Sequence, residues 1–463
     1  MRHTLTLLTF FIGSLAFSQS YDTDLLSKDF HKGRREALRK LMPDSSCTVF
    51  FTNPERQRAN DTKYLYHQDP NFYYLTGLLE PNAVLLIFKE PQTFYDTIVT
   101  NELIFVQDKN PSQEAWTGRI LGKDGVKSQL GINAVFINKQ FVDFKIDFSK
   151  FYRIFHLELF DDVRDDKEDK GDLYSLIKSF RAKTDYKRKN IDNFNLEGWM
   201  STLREVKQPE EIVLMRKAID ITCLAHAEMI RALEPNSAEF EAQAVVEYMF
   251  KRQGAEYEGY NSIVGGGENS CILHYETNRK KLDGGDLLVV DAGAEYHGYT
   301  ADVTRTVPVD GKFSEEEKTI YNIVLEAQEA GIKACKAGVE FRATHKAAVQ
   351  VIQKRLLDLG IIKNSNDFMK YFFHGTSHYL GLDVHDAGNY GKLFPGNVIT
   401  VEPGIYIPAG SDCDPKWWNI GVRIEDDILI TNGDPEVLSG KLVKTVAEIE
   451  ALMKEDSALN KIK

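Results

Sequence analysis

The spacing of hydrophobic residues divides the chain into two parts with different patterns. After about residue 203, apolar residues recur at helical spacing, as at Ile212, Met215 and Ile219, which predicts amphipathic helices. Capping signals and glycine stops refine this prediction. Helices are expected in the following places: from Pro209 onward, over 239–252, after the Ser314/Glu317 capping box, and before Gly360.

Short apolar or alternating segments between these helices predict strands at 286–291, 299–309, 398–402 and 421–431. Helices and hairpin strands mix without regular βαβ alternation, which indicates an α+β fold. The first part of the chain is mixed, with a helix predicted over 30–41 and buried strands over 83–88 and 102–106. We therefore expect two domains, 19–198 and 199–463, with the boundary somewhere between 190 and 205.

The first eighteen residues have the pattern of a signal peptide. Arg2 and His3 precede a mostly apolar run over 5–17, which is too short to span a bilayer core of about 30 Å. Small residues at Ala16 and Ser18 suit cleavage before Gln19. The alternative is a buried N-terminal helix. The pattern favours export to the periplasm or the extracellular space.

Composition excludes several classes of protein. Hydrophobic residues make up 43% of the chain and charged residues 27%, which is ordinary for a globular protein. The net charge of −12 makes the chain a poor candidate for general nucleic-acid binding, which needs a basic surface. No later segment approaches 18 consecutive apolar residues, so we expect no stable membrane insertion. Five irregularly spaced cysteines do not form a disulfide framework.

Two aspartates are predicted to face each other across a hairpin. If the strands around Gly298 pair symmetrically about the 296/297 peptide bond, Asp291 lies directly opposite Asp302. Side chains so opposed have Cβ atoms about 5 Å apart, where like charges destabilise the pair. Residues 287–290 are apolar, so the first strand should be buried and solvent should screen the charges weakly. A cation between the carboxylates would remove the conflict.

Other segments add matching chemistry. Residues 374–386 contain three of the eleven histidines, and Glu402 ends an apolar strand. An alternation with period two places Arg423 and Glu425 on one strand face. Four carboxylates with one imidazole and no thiolate suit Mn²⁺, Co²⁺, Fe²⁺ or Zn²⁺. Two divalent cations would balance four carboxylates, and such a pair can activate water and polarise a carbonyl.

Together these motifs resemble the Xaa-Pro aminopeptidases, the aminopeptidase P group of the "pita-bread" metallopeptidases. The matching segments are 260–274, HGTSHYLGLDVHD at 374–386, VEPGIY at 401–406 and RIEDD at 423–427. Residues 53–58 and 66–77 look like the creatinase-type N-terminal domain. The resemblance implies a pita-bread catalytic domain, a curved antiparallel sheet covered by helices, after a smaller mixed α/β N-terminal domain.

The resemblance also implies the residues of the site. The implied metal ligands are Asp291, Asp302, His378, Glu402 and Glu425, which would hold two divalent cations, first of all Mn²⁺, with Co²⁺, Zn²⁺ or Fe²⁺ as alternatives. A hydroxide bridging the cations would attack the carbonyl before proline. Glu402 would relay a proton to the leaving nitrogen, and Arg423 would orient the carboxylates. The other implied residues are His274 and His385 for catalysis, and Tyr260, His374, Tyr406 and a neighbouring subunit's Trp116 for substrate binding.

The expected activity is release of the first residue from peptides with proline second. Peptides are then the partners, and a homodimer or homotetramer is expected. Prolidases, which cleave only Xaa-Pro dipeptides, typically have Gly-Leu-Gly-His where this chain has Gly375-Thr-Ser-His378. A prolidase remains the first alternative. A non-catalytic binding module on the same fold is the second.

The processing hypothesis has a direct test. We expect protein isolated from its native host to begin at Gln19, because the apolar run before Ser18 is too short to remain as a membrane span. Mass spectrometry of the N-terminal peptide measures this. A retained Met1 in a cytoplasmic fraction would contradict the prediction.

Overall fold

The computed structural model describes residues 22–186 and 190–459. The predicted signal peptide, residues 1–18, lies outside these ranges. Helices and strands are mixed in both halves of the described chain without a regular βαβ alternation, as expected for an α+β fold. No helix among the described residues is long and apolar enough to cross a membrane. All five cysteines are free thiols.

The first half is built around one mixed six-stranded sheet. Its strand order is β6-β5-β4-β1-β7-β8; β1 pairs antiparallel with β4 and parallel with β7. The predicted helix and both predicted strands are present, and each is longer than expected. The elements are α1 (Lys28–Leu41), β1 (Ser46–Phe51), β2 (Gln57–Ala59), β3 (Thr62–Lys63), α2 (Pro70–Thr76), β4 (Val84–Phe94), β5 (Ile98–Val106), α3 (Pro111–Thr117), α4 (Gly122–Gly125), β6 (Val135–Ile137), β7 (Arg153–His156), α5 (Leu173–Thr184), β8 (Ile191–Asp192) and α6 (Asn195–Arg204).

Both faces of this sheet are buried, and the alternation of side chains along β4 shows how. Leu85 and Ile87 face a core that continues into the second half of the chain. Leu86 and Phe88 point the other way, into an aromatic cluster that includes residues of α5. Helix α6 contacts α1 and β7, so residues up to Arg204 pack with the N-terminal sheet. The first face therefore joins the two halves.

The second half consists of small antiparallel sheets with long helices packed on them. Helix α7 begins with proline in its first turn, and the predicted capping box at Ser314 and Glu317 is present at the start of α9. The elements are α7 (Pro209–Ala232), α8 (Glu239–Arg252), β9 (Tyr257–Glu258), β10 (Ile263–Gly266), β11 (Leu287–Asp291), β12 (Ala294–Tyr296), β13 (Tyr299–Thr300), β14 (Thr304–Pro308), α9 (Glu315–Ala334), α10 (Ala343–Asp358), β15 (Val398–Val401), β16 (Gly404–Ile407), β17 (Ile420–Arg423), β18 (Asp426–Leu429), β19 (Glu436–Val437) and α11 (Val446–Leu452).

The predicted hairpin register is wrong. Asp291 pairs with Thr304, two positions beyond the expected partner, because the turn contains only His297 and Gly298. Both turn residues have positive φ, as a two-residue type I′ turn requires. Histidine is unusual there, and Glu256 holds it by accepting hydrogen bonds from its backbone N–H and from its ring. A shift of two positions leaves side-chain parity unchanged, so Asp302 still shares a sheet face with Asp291.

The strand predicted over 421–431 is also interrupted. The structure contains two strands there, β17 and β18, which belong to different sheets. At the break the backbone N–H of Glu425 donates to the Thr304 carbonyl, 3.1 Å away, so the chain crosses from one sheet to the next beside the aspartate hairpin. The break brings the Glu425 side chain next to β14.

The tip of the aspartate hairpin contacts the N-terminal half through two histidine–carboxylate pairs. His67 Nε2 lies 2.9 Å from each carboxylate oxygen of Glu295. The ring of His297 lies between Glu256, at 2.6 Å, and Asp24, at 2.9 Å. The hydrogen bond with Glu295 raises the pKa of His67. Burial lowers the pKa of His297, but Glu256 and Asp24 outweigh burial and the net shift is upward.

These two pairs should make stability depend on pH. A histidine whose pKa is raised by folding stabilises the native state below its unfolded pKa of about 6.5, and the contribution is lost as pH rises through the folded pKa. We expect the free energy of unfolding of the wild type, relative to a His67→Gln/His297→Gln variant, to be largest near about pH 6 and to shrink by about pH 9. Chemical denaturation across this range measures the difference. A difference that is constant with pH would contradict the assignment.

Candidate metal centre

Asp291 and Asp302 meet at the base of the hairpin. The hydroxyl of Tyr260 lies 2.5 Å from a carboxylate oxygen of each. Tyr260 therefore bridges the two aspartates, and its predicted role in substrate binding stays a prediction. The carboxylates meet despite the wrong register because both side chains lie on the same buried sheet face.

Three further side chains close around these aspartates. The Nε2 atom of His378 lies 3.4 Å from a carboxylate oxygen of Asp302 and 3.7 Å from one of Glu402. Ligand atoms of Asp302, His378 and Glu425 lie within 4.8 Å of one another. One carboxylate oxygen of Glu425 accepts a hydrogen bond from the Thr304 hydroxyl at 2.7 Å. The other, Oε1, is buried and has no hydrogen-bond partner among the described residues.

The cluster carries more negative charge than its neighbours compensate. Burial raises the pKa of Glu425 well above its ordinary value, and the carboxylates of Asp302 and Glu402 raise it further. Burial likewise raises the pKa of Glu402 to about 8. The pKa of Asp302 rises for the same reason, with Asp291 adding to it. Oxygen-rich ligands, one imidazole and an unpartnered carboxylate oxygen suit a hard or borderline divalent cation.

Arg423 makes a direct ion pair with only one carboxylate of the cluster among the described residues. Its guanidinium lies 2.6 Å from a carboxylate oxygen of Asp291, and this pair outweighs burial and lowers the pKa of Asp291. Arg423 also donates to the hydroxyls of Tyr406 and Thr304. The prediction that Arg423 and Glu425 lie on one face of a continuous strand is wrong. The strand breaks after Arg423, so the two side chains do not follow the same pleat.

A hydrogen-bonded chain leads from Arg423 to His374. Tyr406 is fully buried; its hydroxyl accepts from Arg423 at 3.0 Å and lies 2.9 Å from His374 Nε2. His374 Nδ1 faces the carbonyl of Gly375 at 2.7 Å, so it carries the proton and Nε2 accepts from Tyr406. Burial lowers the pKa of His374 to about 3, with Arg423 contributing. Both side chains thus continue the arginine network, and the substrate-binding roles predicted for them stay predictions.

His274 and His385 stand at the open side of the cluster, and both are exposed. The ring of His385 meets the ring of His378 edge-on, with centroids 4.5 Å apart. Burial lowers the pKa of His385, and His378 and His274 add to this shift, so the three histidines share one neighbourhood. The two histidines predicted for catalysis, His274 and His385, therefore lie near each other beside His378.

Trp116 does not join the site of its own chain. It lies on α3 and is 90% exposed. Its predicted contact with the site of a neighbouring subunit stays a prediction.

The sequence does not indicate which residues hold the histidine segment, residues 374–386, in place. Asp386 follows His385 and is buried between Arg204 and Lys207, whose Nζ donates to it at 2.8 Å. Arg204 also donates to Asn71 of α2, which ties this segment to the N-terminal half. The only sequence signal was an acidic residue next to a site histidine, and its cationic partners lie about 180 positions away.

A second missed residue is Asp427. It is fully buried, and one of its oxygens accepts the backbone N–H of Asp302 at 3.2 Å. Its other oxygen, Oδ1, has no hydrogen-bond partner among the described residues. In the sequence, Asp427 is recognisable only as the last residue of the RIEDD motif.

Known families match both halves of the chain. Residues 31–150 match the aminopeptidase P N-terminal domain, and residues 213–432 match metallopeptidase family M24. An Xaa-Pro aminopeptidase of Escherichia coli K12 is 36% identical over 447 residues, which cover 92% of this chain and 98% of that relative. The chain belongs to metallopeptidase family M24. Its similarity extends beyond the M24 domain and places it in the Xaa-Pro aminopeptidase group.

Other M24 relatives agree over nearly the full length. Xaa-Pro aminopeptidase 3 of Homo sapiens is 32% identical and covers 92% of this chain and 84% of the relative. A solved variant of Escherichia coli aminopeptidase P superposes with a TM-score of 0.81 at 34% identity, covering 93% of this chain and 98% of the other. Pseudomonas aeruginosa PepP gives a TM-score of 0.82 at 33% identity, covering 95% and 100%. The family, fold class and enzyme class expected from the sequence are thereby confirmed, and M24 metallopeptidases depend on divalent metal ions.

Proposed function

We propose that this protein is an exported aminopeptidase with two divalent cations, and that it removes the first residue from peptides with proline second. The observation that carries the proposal is the buried cluster in which ligand atoms of Asp302, His378 and Glu425 lie within 4.8 Å of one another, while one oxygen of Glu425 has no partner among the described residues. Asp291 joins this cluster through Tyr260, and Glu402 joins it beside His378. Full-length similarity to Xaa-Pro aminopeptidases supports the substrate class.

The proposed cation ligands are Asp291, Asp302, His378, Glu402 and Glu425. Two cations suit the site because the direct ion pair of Arg423 is with Asp291 alone among the described carboxylates, and one divalent charge would leave most of the remaining carboxylates unbalanced. Manganese is the first candidate, with Co²⁺, Zn²⁺ and Fe²⁺ as alternatives, because the oxygen-rich ligand set contains no thiolate. When bound, such cations activate water and polarise the substrate carbonyl.

The protein groups have distinct proposed roles. Tyr260 and Thr304 hold the carboxylates in place through their hydroxyls. Glu402 lies between a cation-side imidazole, that of His378 at 3.7 Å, and a substrate-side one, that of His374 at 3.5 Å. A carboxyl group so placed can move a proton between the attacking and leaving sides of the scissile bond. His274 and His385, exposed at the mouth, are positioned to hold the substrate carbonyls.

Arg423 bears on the choice between an aminopeptidase and a prolidase. A dipeptidase needs a cation for the carboxylate at the end of its short substrate. Arg423 is fully buried and already engaged by Asp291, Tyr406 and Thr304, so it is not free for that purpose. The arrangement favours peptides of at least three residues. Solved aminopeptidase P from Escherichia coli has been studied with Pro-Leu as an inhibitor, which is consistent with proline on the leaving side.

Assembly and export are further parts of the proposal. A tryptophan that is 90% exposed on a helix without buried residues suits a contact with a second subunit, so we propose a homodimer or homotetramer in which Trp116 approaches a neighbouring site. Export rests on the signal-peptide pattern of residues 1–18.

The substrate class is tested with three peptides. We expect kcat/KM to be highest for Arg-Pro-Pro, and to fall by about tenfold or more for Arg-Ala-Pro, because one well-shaped apolar contact supplies roughly 1–3 kcal/mol. Arg-Pro should be cleaved weakly. Steady-state assays under identical Mn²⁺ conditions measure all three values. A preference for Arg-Pro would identify a prolidase, and equal rates on the alanine peptide would exclude a proline pocket.

The metal assignment is tested with Asp302→Asn and Glu425→Gln. Each removes a carboxylate from the shared centre of the cluster, so we expect metal content after reconstitution to fall from about two ions per chain to about one or fewer, and peptidase activity to be lost. Elemental analysis and activity assays measure these effects. Asp310→Asn, which changes an exposed aspartate beyond the end of β14, is the matched control. Full metal content and activity in folded Glu425→Gln protein would refute the assignment.

A further inference from the structure

Glu239, the first residue of α8, has an arrangement that the site description does not use. It is fully buried, and all the hydrogen bonds that its carboxylate accepts come from one segment, residues 266–280. That segment contains His274. We propose that Glu239 is a positioning residue that holds His274 in the substrate site, an inference that rests on the proposed role of His274.

The carboxylate of Glu239 accepts four hydrogen bonds. Oε1 accepts from the backbone N–H of Gly266 and the side-chain amide of Asn269, both at 2.9 Å. Oε2 accepts from the Tyr275 hydroxyl at 3.0 Å and the backbone N–H of Lys280 at 2.7 Å. Hydrogen bonds to an ionised acceptor are roughly twice as strong as neutral ones, so the four together make a firm anchor.

The donors lie on both sides of His274. Gly266 and Asn269 precede it, while Tyr275 and Lys280 follow it. The segment contains a 3₁₀ turn at Gly267–Cys271. Between that turn and Lys280, the described residues form no strand that could hold the segment through backbone pairing. The backbone N–H of Glu239 also donates to the Lys280 carbonyl at 3.0 Å. One residue thus joins the beginning and the end of the segment to the start of α8.

The side chain of His274 has no comparable support of its own. It is exposed and makes no hydrogen bond within the described part of the chain. Its ring is therefore placed by the backbone that carries it. Small displacements of a group that contacts substrate are costly, since a shift of about 1 Å can reduce a rate by roughly 100-fold.

Glu239→Gln is the sharpest change because it keeps the shape of the side chain. The amide has one acceptor oxygen, and its NH₂ group cannot accept from Tyr275 or from the Lys280 N–H. The segment should nevertheless stay folded, because Asn278 independently bonds to Val264 and Ser262. The variant should therefore loosen His274 without removing the segment from the structure.

The experiment is a double-mutant cycle on the metal-loaded enzyme, with a Xaa-Pro tripeptide as substrate. We expect Glu239→Gln to reduce kcat/KM about ten- to hundredfold. In a His274→Ala background the same substitution should change kcat/KM by less than about twofold, because the group that it positions is gone. Metal content should be unchanged in all four proteins. A merely structural role would reduce activity by the same factor in both backgrounds.

Glu241→Gln is the matched control. It changes a glutamate on the same helix, two positions away, whose exposed carboxylate caps the helix and has no hydrogen bond to the 266–280 segment. It should leave kcat/KM within about twofold of wild type, and amide hydrogen exchange in residues 267–279 should increase in Glu239→Gln alone. Tyr275→Phe, which removes one of the four donors, should give a smaller effect that also disappears with His274→Ala. It replaces Glu239→Gln if that variant does not fold.

The outcomes separate the two claims. If His274→Ala retains wild-type kcat/KM, the proposed role of His274 is wrong and the inference falls with it. If His274→Ala is impaired but the Glu239 effect persists in that background, the inference alone is overturned. Loss of metal from Glu239→Gln would also overturn it, since Glu239 would then act on the metal centre.

Discussion

The structure depends on holding mutually repelling carboxylates together out of contact with bulk water. Arg423 pairs with Asp291, while burial and neighbouring carboxylates raise the pKa values of Asp302, Glu402 and Glu425. Hydroxyl groups and backbone N–H groups fix the carboxylate positions but bring no positive charge. The folded chain therefore carries the carboxylates at a cost in free energy, which cations at this position would offset. The rest of the fold must therefore supply stability that offsets this cost when no cation is bound.

The contacts that stabilise the site include some that lie well outside the carboxylate cluster. The aspartate hairpin is held at its tip by histidines that face the N-terminal half, and the histidine segment is held by Asp386 between Arg204 and Lys207. These anchors meet at the junction of the two halves. The N-terminal half is thus a structural support for the site as well as a neighbour of it.

Local patterns in the sequence predicted much of this architecture. Apolar periodicity and capping residues located α7, α8 and α9, since those signals act within a few turns of helix. The aspartate hairpin was recognised, but its turn was placed one residue too early. The error did not change the face of the sheet on which each side chain lies, because the pairing shifted by two positions. The strand over 421–431 was predicted as continuous, since an alternating pattern does not reveal where a chain passes from one sheet to another.

The sequence by itself determined which chemical groups the site contains: carboxylates, imidazoles and one guanidinium in motifs of recognisable order. Only the tertiary structure decided which groups pair. Arg423 engages Asp291, 132 positions away, in preference to its neighbour Glu425. Glu239 looked like an ordinary first-turn glutamate, yet it is buried beneath a loop that begins 27 positions later. The reason is physical: a local pattern fixes the direction of a side chain, whereas its partner depends on how distant segments pack around it.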